Sequence, residues 1–240
     1  MVDLSRVTAW ELGKCFDQSV LPKNSTETDI REGCRLAVKY NCAAFYSSAA
    51  YWTPVIVEEL AGSDVLPAAA IAFPFGAATT AAKVAEATEA VARGAKALDC
   101  VMNIGALKSG HDADVREECK AFVDAAQGNI TKMILETNFL TDDEIRRGCD
   151  LIIEAGIDYA KSSSGQFEGP SMEQVLLMID ACKGTDTKVK VAGVKFPRPQ
   201  NAYAFLLAGV DLIGTRDAPR IIDALDQLRK IGLVPAYAGA

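Results

Sequence analysis

Short apolar, β-branched or alanine-rich runs alternate with stretches whose apolar residues recur three and four positions apart, from one end of the chain to the other. That alternation predicts strands joined by crossover helices, hence a parallel sheet. The strands fall near 14–20, 42–47, 66–73, 97–103, 131–136, 157–161, 187–192 and 210–214. Eight strands is the number of a TIM (β/α)8 barrel. Among the helices, 79–93 repeats Ala and Val at helical spacing, which predicts Lys83, Glu86 and Glu89 on its solvent face. Gly94, Gly156 and Gly209 each stand between a helix and a strand, where a left-handed C-terminal cap is needed. No linker or low-complexity segment divides the chain, so residues 1–240 read as one α/β barrel domain. Residues 1–12 read as a short helix closing the barrel bottom, and 231–240 as a loose tail.

The exceptions to the apolar pattern carry the chemistry. Lys161 and Lys190 end the runs IDYAK and TKVK, and Asp99 interrupts AKALDCVMNIG. An unpaired buried charge costs several kcal/mol, so a lysine placed there is paired, shifted towards neutrality, or both. A neutral amine in a closed pocket attacks carbonyl carbon and forms a Schiff base. In a barrel of this type the active site lies at the C-terminal ends of the strands. Asp17, Ser47, Asn103, Glu136, Thr137 and Ser162 end strands as well, so the fold would gather all of these around one mouth. Taken alone, a strand-end lysine is also what a rim residue with a snorkelling head looks like.

Composition narrows the setting. Half of the 240 residues are hydrophobic and 24% are charged, enough for one large core. No apolar run approaches the roughly 20 residues of a membrane helix, and MVDLSRVTAWEL is too polar for a signal peptide, so the expectation is a cytoplasmic protein with no membrane partner. Seven scattered cysteines without a C-x-x-C pair read as buried thiols, not as disulfides or a zinc site. A net charge of −7 without a basic cluster argues against nucleic acid. His111, the only histidine, sits in the polar stretch SGHDAD and reads as solvent-exposed, while Lys108 and Lys132 read as surface or strand-start charges.

Four segments in order, AFPFGAATTAAKVAEATEAVARGAKALDCVMNIGALKSG, KMILET, YAKSSSG and VKVAG, resemble the deoxyribose-phosphate aldolase family. The resemblance runs from about Asp17 to about Thr215. It implies a TIM barrel and a class I aldolase in which acetaldehyde adds reversibly to glyceraldehyde 3-phosphate, giving 2-deoxyribose 5-phosphate. Lys161 matches the Schiff-base lysine, Lys190 the second lysine, and Asp99 the acid that works with it. No metal or other cofactor is implied, because the protonated imine is itself the electron sink. Substrate contacts would fall at Asp17, Thr137, Ser162, Ser164 and Gly165, with the phosphate region at Gly193, Lys195, Gly214 and Arg216. Glu136 and Thr137 read as a polar layer orienting the lysines.

Departures from the family pattern keep the substrate open. Gln18 replaces the family's histidine, Val194 replaces a glycine, and Arg216-Asp217 replaces a Ser-Ser pair, with Asp217 expected to cap a helix over 218–229 and to compete with a bound anion. Three readings therefore stand: an aldolase for 2-deoxyribose 5-phosphate or a related sugar phosphate, an aldolase for an unphosphorylated or branched sugar, and an idle sugar-binding barrel. Alanine-rich helices and an expected exposed aromatic, Trp52, leave room for a homodimer.

Overall fold

The computed structural model of the chain describes residues 2–193 and 198–239. All eight expected strands form: β1 Phe16–Val20, β2 Ala44–Ser47, β3 Leu66–Ile71, β4 Ala97–Val101, β5 Ile130–Ile134, β6 Tyr159–Lys161, β7 Lys188–Val191 and β8 Leu212–Thr215. Each pairs in parallel with the next and β8 returns to β1, which closes a TIM barrel. Around it run α1 Ala9–Leu12, α2 Glu27–Lys39, α3 Thr53–Leu60, α4 Thr80–Ala92, α5 Ile104–Lys108, α6 Asp112–Ala125, α7 Asp142–Glu154, α8 Met172–Cys182, α9 Pro199–Ala208, α10 Ala218–Asp223 and α11 Leu225–Lys230.

Local sequence fixes where these helices begin and end. Thr26 with Asp29, Thr141 with Glu144 and Ser171 with Gln174 form reciprocal capping boxes that satisfy amides the first turn leaves free. Gly209 ends α9 in the left-handed region at φ 111°, open to glycine without strain.

Alternation along the strands makes two cores. Outward residues such as Phe16, Phe45, Ile71, Leu98 and Met133 pack against the helices in the large one. Inside the barrel, Ala44, Ala68 and Ala97 form a small layer with Tyr46. Side chains of one methyl on β2, β3 and β4 leave volume that a close-packed interior must fill from the other wall, and the long lysines of β5, β6 and β7 fill it.

Several expectations change. Lys83 does not face solvent; it is 1% exposed and donates to Glu118 Oε2 at 2.6 Å and to the Val101 carbonyl at 2.8 Å. Alanines fall on both the exposed and the buried sides of α4, so periodicity could not mark its inner face. Glu86 is half-buried and accepts the Ala72 amide at 2.7 Å. The N-terminal helix shrinks to α1, set by a capping box between Thr8 and Glu11. The tail is anchored: Val234 is buried, the Ala238 amide donates to the Ser5 carbonyl at 2.7 Å, and Arg229 lies over Tyr237. The last helix breaks at Ala224 into α10 and α11. Trp52 is half-buried against the core. All seven cysteines are buried free thiols, and no helix among the described residues is long and apolar enough to cross a membrane.

Candidate active site

At the C-terminal mouth a cavity of about 670 Å³ is lined by Asp17, Tyr46, Asp99, Lys161 and Lys190 among others. Register explains the gathering. Lys161 stands opposite Lys190 across β6 and β7, and Asp99 opposite Lys132 across β4 and β5, all pointing inward. Lys132, expected at the surface, is thus 2% exposed and part of the same network. Its Nζ donates to Asp17 Oδ2 at 2.8 Å and to the Tyr46 hydroxyl at 2.9 Å. A strand-start lysine looks the same in sequence whichever way it points; the available signal was the buried Asp17, which needs a counter-charge.

Three amines therefore share two carboxylates, and the sharing is unequal. Lys190 contacts both Asp17 Oδ2 at 2.6 Å and Asp99 Oδ2 at 2.7 Å. Lys132 has Asp17 and Tyr46. Among the described residues Lys161 has one carboxylate partner, Asp99 Oδ2 at 2.6 Å, an oxygen it divides with Lys190. A buried cluster with one cation in excess relaxes by releasing a proton from the least paired amine. Burial accordingly brings Lys161 down to about 8, with Asp99 opposing and the Lys190 ammonium adding to the fall. Burial is the larger cause, ahead of the repulsion between lysines. Lys190 moves the other way: burial would lower it, but Asp17 and Asp99 outweigh burial and hold it protonated. Asp99 is held far below the usual carboxylate range, where burial alone would raise it, by the ammonium groups of Lys161, Lys190 and Lys132. Tyr46, which sequence reasoning missed, lies with its ring 4.3 Å from Lys190 Nζ, and burial followed by the two carboxylates pushes its phenol well above 10.

Glu136 works one layer back. It adopts φ 49°, a left-handed conformation rare for a side-chain-bearing residue, and its carboxylate accepts the Ser164 amide at 3.0 Å. This fixes the segment that follows Lys161. Ser164 and Gly165 line the cavity, but Thr137 and Ser162 do not: Thr137 bonds Gln174, and Ser162 bridges to the Ala192 backbone. Gly193 borders the cavity at φ 77°, and a Cβ there would stand 2.7 Å from that of Ser163. Gly214 lies in β8, where a Cβ would meet Lys190 Cε at 3.1 Å, so its bareness makes room for the lysine. Lys195 lies outside the described residues. Asp217 does not cap with its side chain; the Ala218 amide donates instead to Gln18 Oε1 at 3.0 Å, and Gln18 Nε2 donates to the Arg216 carbonyl at 2.9 Å. His111 and Lys108 are exposed, and neither lines the cavity.

A sequence model described as DeoC/LacD family aldolase matches residues 13–196. The chain belongs to the DeoC/LacD aldolase family. Deoxyribose-phosphate aldolase from Clostridium novyi is 37% identical over 214 residues, covering 88% of this chain and 95% of that protein. The deoxyribose-phosphate aldolase of Bacillus cytotoxicus is 36% identical over 212 residues, 88% and 94% of the two chains. Among solved structures, an aldolase named QR15 has a TM-score of 0.84 at 30% identity, covering 96% of this chain and 99% of that one. The tetrameric deoxyribose phosphate aldolase of Aeropyrum pernix has a TM-score of 0.83 at 26% identity, covering 94% and 96%.

In this DeoC/LacD member, Lys190 acts on Lys161 in two ways that add. Its charge repels the Lys161 ammonium, and its claim on Asp99 denies Lys161 a full partner. Lys190→Leu removes both, so the Lys161 pKa is expected to rise from about 8, and with it the pH at which this amine is free to react with a carbonyl. The expected displacement is about one pH unit, or roughly 1.4 kcal/mol of differential interaction. Single-turnover imine formation across pH reads this directly, and an unmoved midpoint would separate the two amines.

Proposed function

We propose that this chain is a class I deoxyribose-phosphate aldolase whose Schiff-base lysine is Lys161. The observation that carries the reading is the unequal sharing of Asp17 and Asp99: of the two lysines that line the cavity, Lys190 is held charged and Lys161 is brought down to about 8, while burial also lowers Lys132, which does not line the cavity. In the cleavage direction, Lys161 Nζ attacks C1 of open-chain 2-deoxyribose 5-phosphate, and loss of water from the carbinolamine gives the protonated imine. Asp99, ionised and bonded to Nζ, is placed to relay protons during that dehydration and, through water, to take the proton of the 3-hydroxyl. The C2–C3 bond then breaks, its electron pair entering the imine to form an enamine and releasing glyceraldehyde 3-phosphate. Protonation at C2 and hydrolysis release acetaldehyde and restore the amine. Lys190 stays charged, and Lys132 with Asp17 and Tyr46 holds it in place. Seven buried free thiols suit a reducing, cytoplasmic setting.

Borohydride reduction in the presence of acetaldehyde tests the assignment. A two-carbon adduct should map to Lys161; an adduct on another lysine, or none, would overturn the reading.

The phosphorylated substrate rests on different residues. The Ala218 amide is already engaged by Gln18, so an anion there depends on side chains, and Arg198 and Arg216 both line the cavity with no carboxylate paired to either among the described residues. Arg216→Ala should raise KM for 2-deoxyribose 5-phosphate about ten- to a hundredfold, the value of one charge-assisted contact, while condensation of plain acetaldehyde proceeds as before. Equal wild-type efficiency on phosphorylated and plain sugars would favour the unphosphorylated substrate instead.

A further inference from the structure

The cavity mouth has two unlike sides. Arg198 and Arg216, on the loops after β7 and β8, make one of them cationic. Further round the rim, starting beside the β7 loop, the loops after β6, β5 and β3 carry a cluster of phenylalanines. Phe167 borders the cavity six residues beyond Lys161. Phe139 meets its ring edge-on at 5.3 Å and 75°, and Phe75 meets it at 6.1 Å and 60°. Phe73 adds a further ring to the cavity wall. Between Ser164 and Phe167 the lining holds no charged side chain.

Packing of the barrel does not require this cluster. Phe75 is 74% exposed and Phe139 46% exposed, and neither packs against the large hydrophobic core. Edge-to-face contacts from two neighbours fix the plane of Phe167, so its cavity-facing surface is preorganised and poorly hydrated. A flat apolar surface of this kind, opening on the same cavity as the reactive amine, binds the apolar part of a ligand whose carbonyl end reaches that amine.

We propose that the aromatic side is a second acceptor subsite, which takes aldehydes carrying an aryl or similar apolar tail in place of a phosphate. The proposal rests on the class I aldolase reading. The aldehyde carbonyl occupies the same place beside the Lys161 enamine, and only the direction of the tail changes: towards the arginines when it is anionic, over Phe167 when it is apolar. The chemistry is unchanged. The enamine carbon of acetaldehyde bonds to the acceptor carbonyl carbon, the acceptor oxygen takes a proton, and hydrolysis of the imine frees the β-hydroxyaldehyde.

A matched pair of acceptors isolates the tail: glycolaldehyde and its benzyl ether, each condensed with acetaldehyde. The wild type should show kcat/KM for the benzyl ether about tenfold or more above that for glycolaldehyde, in keeping with burial of one ring against an aromatic wall. Phe167→Ala should lower that ratio about tenfold. Phe139→Ala and Phe75→Ala, which free the Phe167 ring without touching the cavity, should each lower it about two- to fivefold. Phe167→Leu keeps the bulk should the alanine variant fail to fold, and it should still lose part of the preference. A wild type indifferent to the benzyl group, or a ratio unmoved in all of these variants, overturns the subsite. Loss of an oligomer in Phe139→Ala with the ratio unmoved overturns it too, by making the patch an interface between copies. Borohydride trapping of acetaldehyde on the same samples keeps the tests apart: a failed trap removes the aldolase reading, whereas a normal trap with an unmoved ratio removes only the subsite.

Discussion

With Lys161 as the proposed Schiff-base lysine, Lys161→Ala is expected to lower turnover of 2-deoxyribose 5-phosphate by roughly four orders of magnitude or more, since the covalent route through the imine would go with it and no neighbour would replace it. Lys190 cannot substitute. Its ammonium is held by two carboxylates and packed against Gly214, and both carboxylates keep it protonated. Lys132 is engaged by Asp17 and the Tyr46 hydroxyl. The fold should survive the change, since Asp99 retains Lys190 at 2.7 Å and is not left as an unpaired buried charge. Lys161→Arg sharpens the point. It preserves a cation beside Asp99, yet a guanidinium does not deprotonate for attack, so it should be equally inactive. Turnover measured beside thermal unfolding checks both statements; an alanine variant with even a few per cent of wild-type activity would remove Lys161 as the nucleophile.

How far the sequence reached depends on the scale of the feature. Strand positions were legible because each strand is a short apolar run bounded by polar turns, and eight runs alternating with helices admit few topologies. Lys161, Lys190 and Asp99 were legible as a group because Lys161 and Lys190 each end such a run and Asp99 interrupts one. Lys132 and Tyr46 were not. In the expected strand 131–136 the lysine stands second, where it resembles a solvated flank, whereas β5 begins at Ile130 and makes Lys132 its central residue, paired in register with Asp99 and turned inward. Tyr46 reads as an ordinary apolar strand residue, and its value to the site lies in a ring and hydroxyl facing two lysines from other strands. The same limit applies to the side chains of Thr137 and Ser162, which do not line the cavity. Both flank motif residues in sequence, but their side chains turn to Gln174 and to the Ala192 backbone. What a strand contributes is written locally; which residues complete the charge balance is written in the barrel register.

The ion pair behind β4 was equally illegible, and removing half of it should have the largest effect on stability. Lys83 and Glu118 come from α4 and α6, lie 35 positions apart, and meet at 2.6 Å with almost no exposure. Together they finish the end of the strand that carries Asp99: Lys83 donates to the Val101 carbonyl and Glu118 Oε1 accepts the Asn103 amide at 2.9 Å. Lys83→Met leaves the carboxylate buried without its cation, at an expected cost of about 3–5 kcal/mol near neutral pH. For a domain of this length that is a fall in Tm of roughly 10 °C. The pH dependence follows from the carboxyl. Burial already raises Glu118 above its ordinary value, and loss of the ammonium raises it further. Between the unfolded and folded pKa values the folded variant binds more protons than the unfolded chain, so its stability falls as pH rises through that window and the deficit against wild type shrinks in acid. Lys83→Met combined with Glu118→Leu should recover part of the loss by removing the unpaired charge, but not all of it, because Val101 and Asn103 each lose a hydrogen-bond partner worth about 1–3 kcal/mol. Urea unfolding at two pH values measures each quantity, and a single Lys83 variant within about 1 kcal/mol of wild type at neutral pH would show that the pair does not hold the end of β4.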